Sequence, residues 1–67
     1  MAEIWEIGYR VDGVTYSVNM VEGTKAEALE IADKKCEKYG YTLGYLKQIS
    51  RAEADSYRAK GMPYFKC

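Results

Sequence analysis

The acidic and basic side chains of one short stretch are the best candidates for acid–base chemistry. Glu27, Glu30, Asp33 and Glu37 are interleaved with three lysines within residues 34–38. General acid–base catalysis favours a group whose pKa lies near the working pH. The chain contains no histidine, the side chain that meets this condition without perturbation. Interleaved charges of opposite sign are typical of a solvated helix face, so we interpret this stretch as exposed surface.

Patterns for nucleophilic catalysis, phosphate binding and metal binding do not occur in the sequence either. Ser17 and Ser50 have no neighbouring base to activate them, and Ser50 stands where a helix cap is expected. The glycines form neither a P-loop nor a dinucleotide fingerprint. Two cysteines without histidine are too few for a zinc site. We therefore expect a non-enzymatic protein with no metal and no cofactor.

The two cysteines also predict no disulfide framework. Cys36 lies in a helical pattern and is predicted to pack as a small buried hydrophobe. Cys67 is predicted to be a solvent-exposed thiol.

Length and charge limit the class of protein. The 67 residues suffice for one small domain over residues 1–67, which buries only ~60% of the surface of its unfolded chain. The sequence has neither an apolar run of ~18 residues nor a basic segment followed by an apolar one, so we expect a cytoplasmic protein. Net charge is zero, which argues against a dominant phosphate-binding role. Residues 34–67 hold eight of the ten basic side chains, which predicts an electrically dipolar molecule.

The elements that position these side chains begin with a β-hairpin over residues 4–21. Asp12-Gly13 between two valines is the strongest short signal for a two-residue type I′ turn. Pairing outward from that turn places eight side chains on one apolar face: Trp5, Ile7, Tyr9, Val11, Val14, Tyr16, Val18 and Met20. Glu6, Arg10, Thr15, Ser17 and Asn19 then form a polar face.

Two capping boxes predict two helices. Thr24 with Glu27 begins a helix over about residues 25–39, which ends at Gly40. Its expected core stripe is Ala28, Leu29, Ala32, Cys36 and Tyr39, with Ile31 nearly opposite. Ser50 with Glu53 begins a second helix over about residues 51–60, which ends at Gly61, and Ile49 could pack on Ala54 as a staple. The second helix has a narrow stripe of Ala52, Ser56 and Ala59.

Residues 41–49 read as a third strand, so the element order is ββαβα. A right-handed crossover after the first helix gives an α+β fold. Its three-stranded antiparallel sheet has the order 2-1-3, the main helix packs on one face, and a short helix follows. Residues 62–65 are too apolar for a free tail and are expected to fold back over Ile31.

An aromatic and basic cluster near the C-terminus is the first candidate binding site. Tyrosine, methionine and arginine are enriched at protein interfaces, and the same combination suits base stacking on nucleic acid. The candidate residues are Tyr57, Arg58, Lys60, Met62, Tyr64, Phe65 and Lys66.

The sheet face away from the main helix is the second candidate. Gly8 and Gly44 share the outward parity, and strand glycines commonly mark close approach by another backbone or a bulge. Relief of twist beneath the helix is the alternative explanation. The candidate residues are Ile4, Gly8, Arg10, Ser17, Gly44 and Leu46. Apolar area from Ile4, Val21 and Leu46 on an uncovered face would favour a homodimer.

This organisation resembles that of small accessory proteins of phages and mobile elements, among them anti-defence inhibitors that occupy a partner's surface. The resemblance is one of type and transfers no residue. We expect a protein-binding module that inhibits by steric occupancy. The alternatives are a nucleic-acid-binding module that uses the C-terminal cluster and a binder of a small nucleotide signal.

Overall fold

The computed structural model describes residues 3–14 and 16–66. It is an α+β fold with the elements β1 (Glu3–Arg10), β2 (Tyr16–Gly23), α1 (Lys25–Tyr39), β3 (Thr42–Ile49), α2 (Arg51–Ala59) and β4 (Tyr64–Lys66). The predictions for Thr15 and Cys67 lie outside the described residues. No helix in the described part of the chain is long and apolar enough to cross a membrane.

Both helices begin at the predicted caps. The Thr24 hydroxyl accepts from the backbone N–H of Glu27 at 3.1 Å, and the Glu27 carboxylate accepts from the Thr24 N–H at 2.8 Å. The same reciprocal pair joins Ser50 and Glu53. Gly40 ends α1 in the left-handed region with φ of +73°, where a side chain would be strained.

The sheet has four strands in the order β3-β1-β2-β4 and is mixed. The predicted order 2-1-3 is preserved within it, and β1 pairs antiparallel with both β2 and β3. The predicted purely antiparallel sheet is wrong in one respect, because residues 64–66 add as a strand parallel to β2. The apolar C-terminal segment thus folds back onto the sheet edge.

The hairpin register differs by one residue from the prediction. Arg10 pairs with Tyr16, so the connection between β1 and β2 is longer than the predicted two-residue turn. The Asp12 carboxylate accepts from the Val14 N–H at 3.0 Å, and Gly13 has φ of +88°. A side-chain acceptor two residues back stabilises a wider Asx-type turn.

This slip turns β2 over relative to β1, because strand side chains alternate between faces. Val21, not Met20, joins Trp5, Ile7 and Tyr9 beneath α1. Met20 packs on the opposite face with Ile4. The predicted single apolar face is therefore two partly apolar faces.

A helix packs against each of those faces. The core beneath α1 consists of Trp5, Ile7, Tyr9, Val21, Ala28 and Ala32. The second core consists of Ile4, Met20, Ile49 and Ala54, with Tyr57, Met62 and Tyr64 packed on it. Ile49 and Ala54 thus meet, as the predicted staple requires. The sheet face that was expected to be open is thus partly covered by α2, and the Met62 side chain packs on the same core.

Both helices are rotated from their predicted faces. Leu29 is 37% exposed and Tyr39 is exposed, whereas Ile31 is half-buried against the α1 core. Cys36 is half-buried on the same core. On α2 the buried residue is Ala54, not the stripe that begins at Ala52. The prediction that Ala28 and Ala32 face the sheet is confirmed, since both are fully buried, and the error concerns Leu29, Tyr39 and Ile31.

Candidate binding surface

The C-terminal cluster is divided between the two faces of the sheet. In the parallel pairing of β4 with β2, Tyr64 is paired with Met20 and Phe65 is paired with Val21. Since Met20 and Val21 belong to opposite cores, alternation along β4 directs Tyr64 towards α2 and Phe65 towards α1. The seven candidate residues therefore do not form one site.

Tyr64 is held in place by its own domain. Its hydroxyl donates to the Glu22 carboxylate and accepts from Arg51 Nη1 at 3.5 Å. The Arg58 guanidinium lies 4.6 Å from the centre of its ring. The hydrogen bond from Tyr64 lowers the pKa of Glu22, and the nearby Arg51 charge lowers it further. Burial, with this same hydrogen bond, raises the pKa of Tyr64.

Tyr57 and Met62 are half-buried against the same core as Tyr64. The N–H of Met62 donates to the Tyr57 carbonyl at 3.1 Å, which closes the turn after α2. Lys60 and Lys66 are exposed. Tyr57, Met62 and Tyr64 therefore serve the core, and the cations of the cluster remain on the surface.

Phe65 lies on the other side of the sheet and is 45% exposed. It lines a groove of about 260 Å³ between α1 and β4, which we call the α1–β4 groove. The other lining residues are Ile31, Lys34, Lys35, Lys38 and Tyr39. The expected approach of the C-terminal segment to Ile31 is thus realised through Phe65.

Three lysines of α1 line the groove together with apolar side chains. Lys35 Nζ lies 4.9 Å from the centre of the Tyr9 ring, and Lys38 Nζ lies 5.3 Å from that of Tyr39. Lys34 pairs with Glu30 at 3.1 Å, an exposed i,i+4 pair that contributes little. The groove therefore combines an exposed aromatic ring with positive charge.

Sequence reasoning overlooked the α1 residues of this groove. Lys34, Lys35 and Lys38 were treated only as solvated charges, and Ile31 as the outer side of the helix. The predicted contact between residues 62–65 and Ile31 could have indicated these lysines, because it places an aromatic segment beside them.

The structure brings together only part of the proposed sheet-face site, since Gly44 lies beside Gly8 and Arg10 on the adjacent strand. Ser17 and Leu46 lie on the α1 side, opposite Tyr9 and Ile7. Ile4 is 4% exposed in the second core. Arg10 and Gly44 are exposed. Because Ile4 and Val21 are buried, the apolar face on which the expected homodimer rested is not available.

The strand glycines instead make room for tyrosines of the same sheet. A Cβ on Gly8 would lie 2.1 Å from Tyr45 Cε2, and one on Gly44 would lie 2.8 Å from Tyr16 Cε2. Gly44 is the bulge residue, since the register on β1 passes from Tyr45 to Leu43. A Cβ on Gly44 would also lie 3.0 Å from the backbone carbonyl oxygen of Gly8, so the expected bulge and the expected close approach of another backbone both occur at Gly44, whereas Gly8 makes room for a side chain.

Tyr45 crosses Gly8 to reach a buried carboxylate. Its hydroxyl donates to Glu6 Oε2, and Glu6 is 6% exposed. Burial raises the pKa of Tyr45, and the hydrogen bond to Glu6 adds to that rise. This pair holds β1 and β3 together on the α2 side of the sheet.

Within residues 3–14 and 16–66, no group of three or more histidine, cysteine or acidic side chains could hold a metal ion. Comparison of the chain with protein-family models, curated proteins and solved structures finds no match.

Proposed function

We propose that the chain is a non-enzymatic protein-binding module of the cytoplasm that acts through the α1–β4 groove. The observation that carries this proposal is the half-exposed Phe65 ring, held by β4 beside Ile31 and Tyr39. Aromatic side chains near the centre of an interface supply a large share of binding energy. The small size and the organisation of the chain favour one such function, that of a phage-type inhibitor which sterically occupies the surface of its partner.

Loss of partner capture on substitution of Phe65 tests the proposal. Wild-type protein, Phe65→Thr and Val14→Thr are immobilised and exposed to lysate of the source organism. Both substitutions replace an exposed apolar side chain with a residue suited to strands, but Val14 is 86% exposed in the hairpin loop. A partner retained by wild type and Val14→Thr and lost by Phe65→Thr supports the groove. Equal capture by all three proteins refutes it.

Nucleic-acid binding is the second candidate, since the groove places Lys34, Lys35 and Lys38 beside two aromatic rings. Base stacking with phosphate contacts uses the same types of residue. Three phosphate contacts to a single strand predict that affinity falls roughly 20-fold between 50 and 200 mM salt. A short DNA single strand that binds with this salt dependence would favour the second candidate. The related proposal of a small nucleotide ligand is tested by thermal shift, because saturating ligand raises the melting temperature.

A further inference from the structure

One edge of β4 is free, and its position beside the α1–β4 groove indicates the kind of partner that the proposed function would require. No described strand lies beyond β4 in the sheet. The Met20 N–H donates to the Pro63 carbonyl at 2.9 Å, so the Pro63 carbonyl faces β2. Backbone groups of successive strand residues turn alternately to either side. Those of Tyr64 and Lys66 therefore face away from β2, as on an edge open to strand addition.

Positive charge flanks this edge on both faces of the sheet. On the α1 side stand Lys34, Lys35 and Lys38 of the groove. On the α2 side stand Arg51, Arg58 and Lys66, which lie close enough to Glu22 to lower the pKa of its carboxyl. Among the described residues, Lys34 forms an ion pair with Glu30 and Arg51 forms one with Glu22.

We infer that β4 accepts an acidic, extended peptide segment of a partner protein as a fifth strand. Side chains of an added strand alternate between the two faces, so acidic residues on either face would meet cations. An apolar residue directed towards α1 would enter the groove beside Phe65 and Ile31. Backbone hydrogen bonds to Tyr64 and Lys66 would supply affinity, and the groove would supply specificity.

Fluorescence anisotropy with synthetic peptides tests this inference. The probe is a short labelled peptide in which valine and leucine alternate with glutamate and aspartate. Its charge-reversed counterpart carries lysine at each acidic position. We expect the acidic peptide to bind and the basic one not to bind. Failure of the acidic peptide to bind, or equal binding of both, overturns the inference.

Backbone methylation separates strand addition from simple charge attraction. Two versions of the acidic peptide are N-methylated, one at the odd and one at the even backbone nitrogens. Only alternate N–H groups of an added strand face β4. We expect one version to bind at least ~10-fold more weakly and the other to retain its affinity, a difference of about 1.4 kcal/mol. Equal affinity of the two versions overturns strand addition.

Charge variants of the protein locate the peptide. Lys38→Glu and Lys66→Glu alter opposite faces beside β4, whereas Lys25→Glu makes the same charge change at the first residue of α1. We expect roughly fivefold weaker binding for Lys66→Glu, which faces the acidic side chains, a smaller loss for Lys38→Glu, which faces the apolar ones, and little change for Lys25→Glu. Amide signals of Tyr64 and Lys66 should shift on binding. Shifts confined to residues 42–49 would place the peptide on β3 and overturn the inference.

The two proposals fail separately. If no acidic peptide binds but partner capture still depends on Phe65, the α1–β4 groove remains a binding surface and strand addition is refuted. If acidic peptides bind as expected but Phe65→Thr captures the same partners as wild type, the edge is established and the proposed function through Phe65 is refuted.

Discussion

Substitution of Gly8 by alanine should destabilise the domain because the added methyl group displaces the Tyr45 ring. An added Cβ would lie 2.1 Å from Tyr45 Cε2 and 2.5 Å from Cδ2, far inside the ~3.5–4.0 Å of normal carbon contact. The ring must move away, and its hydroxyl then leaves the buried Glu6 carboxylate. Loss of a hydrogen bond to a charged group costs about 1.5–3 kcal/mol. The lower backbone entropy of alanine offsets roughly 0.5–1 kcal/mol of this loss.

We therefore expect Gly8→Ala to lower the free energy of unfolding by about 1.5 kcal/mol. That is a large part of the roughly 3–10 kcal/mol expected for 67 residues. In the Tyr45→Ala background the ring is absent, and Gly8→Ala should become neutral or stabilising by up to about 1 kcal/mol. Urea unfolding of wild type, both single variants and the double variant measures this coupling.

The sign change between the two backgrounds is the decisive result. Tyr45→Phe serves as the control, because it keeps the ring but removes the hydroxyl, so Gly8→Ala should cost less there than in wild type. If Gly8→Ala lowers the free energy of unfolding equally with and without the Tyr45 ring, the backbone itself requires glycine at this position, and the proposed role of the ring is refuted.

Three further predictions concern the cores and the C-terminal strand. Ile31→Ala should cost about 1–2 kcal/mol and Leu29→Ala less than about 0.5 kcal/mol in urea melts, because Ile31 packs on the α1 core and Leu29 is exposed; the reverse order would contradict the orientation of α1. Tyr64→Ala should lower stability by about 2 kcal/mol, whereas Phe65→Thr should change it little and abolish partner capture; equal melting temperatures for the two variants would contradict this division. Burial raises the pKa of Tyr9 to about 12 from 10.0, with the Cys36 charge adding to the rise, so its contribution is complete below pH 10 and is lost as pH rises towards 12. Tyr9→Phe should flatten the fall in stability over that range, and an unchanged slope would refute the assignment.

Local signals predicted the helices well because their causes are local. Thr24 and Glu27 satisfy each other's backbone N–H groups within one turn, and Gly40 adopts the left-handed conformation that ends α1. Nothing outside residues 24–40 is needed for either effect. The same holds for Ser50 and Glu53 at the start of α2.

The hairpin register could not be predicted from the turn signal. Asp12 and Gly13 suit a two-residue turn, but they also suit the wider loop in which the Asp12 carboxylate caps Val14. The choice between them depends on which side chains of β2 pack on each face of the sheet. β2 carries Val18 and Met20 on one parity and Val21 on the other, so both registers bury apolar area.

The candidate site was predicted only in part for the same reason. The sequence identified the segment that contains Phe65, but the pairing of β4 with β2 decided that Tyr64 turns inward and Phe65 outward. The lysines of the α1–β4 groove joined the site only because α1 lies beside that edge.

By itself, the sequence determined the helices, their caps, the α+β class and the central antiparallel order, since each follows from contacts within a few residues or from chain connectivity. Only the tertiary structure decided the register of the hairpin, the rotation of α1, the covering of both sheet faces and the position of β4. Those features depend on which of several similar apolar surfaces meet. Alternatives that differ by one residue in register are separated by the packing of the whole domain and not by any local signal.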